Sequence, residues 1–148
     1  MKRFLNRKIR KEAREVILRV LYSYDIRKED MLSIFEDYIK KEKFNSKVKE
    51  YARNVIEGIS QNLQTIDNII QDYLEDWRLE RLGYIERALL RLGVYELLFN
   101  ELSKDETVGR KFADILNLAK CYLISETPLK FINGVLSRIY KTKVGNLN

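Results

Sequence analysis

The apolar residues Ile9, Ala13, Val16, Ile17, Val20, Leu21 and Tyr24 recur at spacings of three and four, the period of a helix with one buried face. That period returns in every later apolar stretch. After Asp30, a residue suited to an N-cap, the positions Met31, Ile34, Phe35, Tyr38 and Ile39 share a face. Ser46 is expected to cap a long third helix running from Val48 through Ala52, Val55, Ile59, Leu63, Ile66 and Ile70 to Leu74. Gly58 inside it points to close packing or a bend. Beyond Trp77 the pattern restarts with a short piece around Leu79 and Leu82, then the run YIERALLRLGVYELLF. The inward residues expected there are Ile85, Ala88, Leu89, Leu92 and Phe99, with Leu97 or Leu98. Phe112, Ile115, Leu116, Ala119, Tyr122 and Leu123 mark another helix. Thr127 and Pro128, as N-cap and first helical residue, open a last one carrying Phe131, Ile132, Val135, Leu136, Ile139 and Tyr140.

With no strand alternation and no repeat of fixed period, the expected fold class is all-α. Six to seven helices form two packed three-helix bundles in a single domain over 1–148, one bundle at about 7–76 and the other at about 77–143. A chain of 148 residues is long enough to bury ~70% of its extended surface without a disulfide or metal staple. The pair Asn133-Gly134 would ordinarily mark a turn, but the helical period continues through it. Gly134 is therefore expected to lie against a neighbouring helix, so that Gly134→Leu damages folding.

The side-chain inventory excludes much chemistry. There is no histidine and one cysteine, which removes Ser-His and Cys-His nucleophile pairs and the usual zinc-ligand sets. No cofactor or metal is expected, and most familiar catalytic constellations are excluded. Cys121 reads as a packed free thiol, and Asp67, Asp72, Glu75 and Asp76 as a solvated acidic face. An unpaired cysteine and the lack of an apolar run of signal or membrane-spanning length point to the cytoplasm.

Charge is polarised toward the ends of the chain. Residues 1–14 hold seven bases (Lys2, Arg3, Arg7, Lys8, Arg10, Lys11, Arg14) against Glu12, a net of +6 that equals the charge of the whole protein. Residues 130–143 add Lys130, Arg138, Lys141 and Lys143 with no acid, leaving 15–129 at −4. Such asymmetry suits an anion-binding surface. On the first helix Arg7, Lys11, Arg14, Leu18 and Tyr22 fall within about 80° of one another, off the apolar stripe, while Arg10 lies near its edge. Cations beside aromatic rings are what single-stranded RNA needs, phosphates on the first and bases on the second. Tyr22, Phe131 and Tyr140 are the candidate rings.

Three stretches resemble the transcription antitermination factor NusB family: RKEAREVILRVLYSYDI (10–26), RLGYIERALLRLGVYEL (81–97) and FADILNLAKCYLISETPLKFINGVLSRIYK (112–141). They stand in the family's order and span nearly the whole chain. The resemblance implies two three-helix bundles and a non-enzymatic protein that binds boxA-type RNA with NusE, a small-subunit ribosomal protein, in the transcription elongation complex. It implies RNA contacts at Arg10, Lys11, Arg14, Tyr22, Lys130 and Phe131, to which the charge pattern adds Arg7. It implies a partner face at Tyr84 and Glu86, and in some members self-pairing over the RNA face, so a homodimer is open. Glu12 stands where relatives carry a base, Ala113-Asp114 where many carry Asn-Glu, and Thr127 where an acid is frequent.

Two other readings differ in class. One is the helical RNA-targeting module that precedes ribosomal RNA cytosine methyltransferase domains, against which stands a chain ending at Asn148. The other is a protein-interaction module whose basic end only solubilises it. Replacing Arg10, Lys11 and Arg14 together by Ala is expected to weaken RNA binding with little loss of stability.

Overall fold

The computed structural model describes residues 2–101 and 106–145, with the backbone alone for 2–6, so the side chains of Lys2 and Arg3 lie outside the described residues. Seven α-helices and no strand occur among them: α1 (Lys2–Arg27), α2 (Met31–Lys41), α3 (Ser46–Gln61), α4 (Leu63–Asp72), α5 (Tyr84–Val94), α6 (Val108–Tyr122) and α7 (Glu126–Lys143). A 3-10 turn at Leu79–Arg81 precedes α5, and a π-turn at Tyr95–Phe99 continues it. The all-α class read from periodicity is the observed one.

Local chemistry starts and ends the helices. Asp30 caps α2 as expected, its carboxylate accepting from the Ser33 amide at 3.0 Å. At α3 the cap is Asn45 rather than Ser46, its side-chain oxygen accepting from Lys47 N at 2.7 Å. Helix α7 opens at Glu126 after Ser125, two residues before the expected start, and Pro128 falls in the first turn, where no intrahelical N–H is needed.

The expected long third helix is two helices. Asn62 leaves helical geometry at φ −115° and ψ 16°, and both its amide and its side chain donate to the carbonyl of Gly58, at 3.1 and 2.8 Å. An asparagine competing with the backbone ends α3 there, and periodicity, which sees only apolar positions, runs straight across the break. Helix α4 packs mainly on α5, and also on α3 and α7.

Helix α5 is the centre of the molecule. Residues Ala88 to Val94 are all buried, so beyond its first turn it has no solvent face, and it packs on α1, α4, α6 and α7. Glycine permits two close crossings. A Cβ on Gly93 would stand 2.6 Å from Leu136 Cδ1 of α7, and one on Gly58 would run into the Tyr95 ring. The close approach expected at Gly134 is absent, because that residue is exposed with open space where a Cβ would sit. It lies about 200° around the helix from Ile132, opposite the buried stripe.

Candidate nucleic-acid interface

Arg7, Lys8 and Lys11 are exposed on α1 and, with Asp114, Asn117 and Leu118 of α6, line a cleft of about 630 Å³. Glu12 is exposed beside them. Cys121 also borders this cleft, exposed and with its thiol donating to the Asn117 carbonyl at 3.6 Å, so it is not the packed thiol that was expected.

Two of the residues expected to contact phosphate, Arg10 and Arg14, are buried in ion pairs. Arg14 is 2% exposed; its Nε donates to Glu96 Oε2 at 2.6 Å and its Nη2 to Glu106 Oε1 at 2.8 Å, with Asp114 at 3.6 Å. Arg10 is also buried and pairs with Glu106 at 3.3 Å. The helical wheel left Arg14 and Leu18 outside the apolar stripe, but α5 and α6 cross α1 and cover both. Burial alone would pull the Arg14 pKa down; Glu96 and Glu106 outweigh it and hold the guanidinium above its ordinary value. Arg14 still forms part of the cleft wall, but its charge is matched there by carboxylates.

The acid at the centre, Glu96, is fully buried. The Tyr51 hydroxyl donates to it at 3.3 Å, the Asn100 amide donates to the same carboxylate, and Lys111 Nζ donates to its backbone carbonyl at 3.1 Å. Burial pushes Lys111 down against the upward pull of Glu96 and Glu106. The π-turn puts Glu96 where α1, α3 and α6 all reach it.

A second buried network lies further along α1. Arg91 Nη1 donates to both oxygens of Asp25 at 2.9 Å, and its Nε and Nη2 donate to Asp67 at 2.8 and 2.9 Å. Asp67 is thereby a structural partner rather than part of a solvated face, whereas Asp72, Glu75 and Asp76 are exposed. The chain did carry a signal for both networks, since Arg91 and Glu96 interrupt the most apolar run it contains.

Tyr22 is 38% exposed and meets Tyr84, 42% exposed, edge to face with ring centroids 6.0 Å apart. Arg87 stacks over Tyr84 at 4.7 Å and approaches Asp25 at 3.7 Å. The expected RNA ring and the expected partner residue therefore touch. Glu86 folds its carboxylate back over Gly83, at the third position of α5, where an acid meets the positive helix end. Lys130 is exposed and Phe131 half-buried against the core; neither lines the α1 clefts. Tyr140 is buried edge-on to Phe112, so it is a packing residue.

The NusB family pattern matches residues 11–141. The chain belongs to the NusB family. A NusB antitermination protein of Persephonella marina is 51% identical, the match covering 92% of this chain and 95% of that one. That of Aquifex aeolicus is 40% identical over 91% and 89%. Among solved structures, T. maritima NusB superposes with a TM-score of 0.81 at 38% identity, covering 89% and 90%. A crystal structure of the antitermination factors NusB and NusE in complex with dsRNA gives 0.81 at 40% identity, covering 91% and 98%. Among the described residues of this NusB-family chain, no helix is long and apolar enough to cross a membrane, and no group of His, Cys, Asp or Glu is placed to hold a metal ion.

Proposed function

We propose that this chain is a non-enzymatic transcription antitermination factor that binds boxA-type RNA together with a NusE-like ribosomal protein and joins the elongation complex, acting in the cytoplasm. The observation that carries the reading is the row of exposed cations Arg7, Lys8 and Lys11 on α1, leading to the exposed pair Tyr22 and Tyr84. Cations hold phosphates and rings stack bases, so one helix supplies both contacts. Lys130 and Phe131 at the start of α7 add a second cation and ring, while Tyr84 and Glu86 face the protein partner. Because Tyr22 touches Tyr84, RNA and partner meet along one edge, and each is positioned to strengthen the other's binding. The solved NusB, NusE and dsRNA assembly, whose NusB chain this one covers at 98%, favours this reading over a methyltransferase-linked module.

The test is a titration of labelled boxA RNA and a scrambled RNA of equal length, with and without the NusE-like protein. Preference for boxA that the partner increases is the expected result. Equal affinity for both RNAs, unchanged by the partner, would leave only a charged face. Sedimentation of the free protein, repeated with RNA, shows whether copies pair over the same face and are displaced.

A further inference from the structure

The clefts along α1 do not stop at the basic one. A second, of about 510 Å³, is lined by Arg19, Tyr22, Tyr38, Ile85 and Tyr122, and a third, of about 250 Å³, runs from Arg19 to Arg27 and Lys41. Their α1 residues Lys8, Lys11, Glu15, Arg19 and Ser23 are three or four positions apart, so they lie on one side of the helix. From Lys8 to Ser23 that side extends about 23 Å.

The middle cleft differs in chemistry from its neighbours. Three tyrosines line the cleft with one exposed arginine, and the Tyr122 and Tyr38 hydroxyls near Arg19 raise its pKa. Each ring is braced from outside the cleft. Tyr38 rests on Phe44 with centroids 5.6 Å apart, Tyr22 on Tyr84, and Tyr122 packs against the core. An exposed guanidinium plane among braced phenol rings offers flat faces for stacking and hydroxyls for the edge of the stacked group. A nucleobase has that combination of a π-face and a polar edge. A purely apolar peptide side chain would leave the Arg19 charge and the tyrosine hydroxyls poorly matched.

We infer that Arg19, Tyr38 and Tyr122 form a nucleobase-stacking pocket that carries bound RNA past Tyr22 onto α2. The inference rests on the RNA-binding reading above and extends its track by an element, α2, that neither charge nor family resemblance singles out. The occupant is RNA because the pocket continues the side of α1 that begins with Lys8 and Lys11.

The experiment places 2-aminopurine at successive positions of a boxA RNA and reads its quenching on the full chain and on Arg19→Met, Tyr38→Leu and Tyr38→Phe. Arg19 is exposed, so its variant folds even where Tyr38→Leu does not. The expected result is one position whose quenching is lost in Arg19→Met and Tyr38→Leu, with affinity lower by about tenfold, and kept in Tyr38→Phe. The salt dependence stays as in the parent, since no phosphate contact is removed. Parental affinity and quenching in both variants, while Lys11→Ala still weakens binding, overturns the pocket and leaves the RNA reading standing. No boxA preference in the parent and no effect of Lys11→Ala defeats both. Loss of the NusE-like partner alone, with RNA affinity intact, would make the cleft a protein site and also overturn the inference.

Discussion

At the scale of single residues, three glycines in helices meet three different surroundings. Gly58 faces the rigid Tyr95 ring, which is buried and stacked on Phe99, so the ring has no room to withdraw. Gly93 faces Leu136, fully buried between α5 and α7. Gly134 faces open space. Urea denaturation should show Gly58→Ala and Gly93→Ala each losing about 1–3 kcal/mol to overpacking, with Gly58 the worse because a ring yields less than a branched chain end. Gly134→Ala should gain about 1 kcal/mol, since alanine is the better helix former and nothing is displaced. A loss at 134 equal to that at 93 would contradict this geometry. The position of Gly134 was legible from the wheel, which sets it opposite Ile132. The tightness at Gly93 was not, because an evenly buried helix has no stripe from which one crossing point can be singled out.

At the scale of helices, α1 does two jobs on neighbouring turns. Lys11 points to the cleft and Arg14, less than one turn on, is enclosed by acids from the π-turn and from the start of α6. Replacing both with Arg10, as the sequence alone suggested, would mix binding with folding. Arg14→Ala leaves Glu96 fully buried and short of its main cation, which should cost about 3–5 kcal/mol in thermal or urea unfolding. Lys11→Ala should stay within about 0.5 kcal/mol of the parent while weakening RNA. Equal stability of the two variants would show that the Arg14 cage contributes little. Apolar periodicity located the helices well because burial repeats with the turn. It missed the end of α3 at Asn62, whose signal is a side-chain hydrogen bond to Gly58, and the burial of Arg14, which depends on helices more than 80 residues away in sequence.

At the scale of the whole molecule, the number of basic side chains overstates how many cations a ligand meets. Arg10, Arg14 and Arg91 are buried against acids, tying α1 to the π-turn, α4 and α6, so their charge is spent on holding the two halves together. Charge counting pointed to the first helix, yet only tertiary packing could separate its outward-facing cations, Arg7, Lys8 and Lys11, from those that face Glu96 and Glu106. Of the residues proposed to contact RNA phosphates, the exposed cations are Arg7, Lys8, Lys11 and Lys130. If these four each neutralise one phosphate of a single strand, log K should fall with log salt at a slope of ~−2.8, or about fifty-fold between 50 and 200 mM. Lys11→Ala should flatten that slope by ~0.7, the share of one contact. Arg14→Ala, measured below its unfolding temperature, should leave the slope unchanged because its guanidinium meets carboxylates rather than phosphate. A slope that flattens equally in both variants would put Arg14 back at the RNA, and would require α1 to release Glu96 when RNA binds.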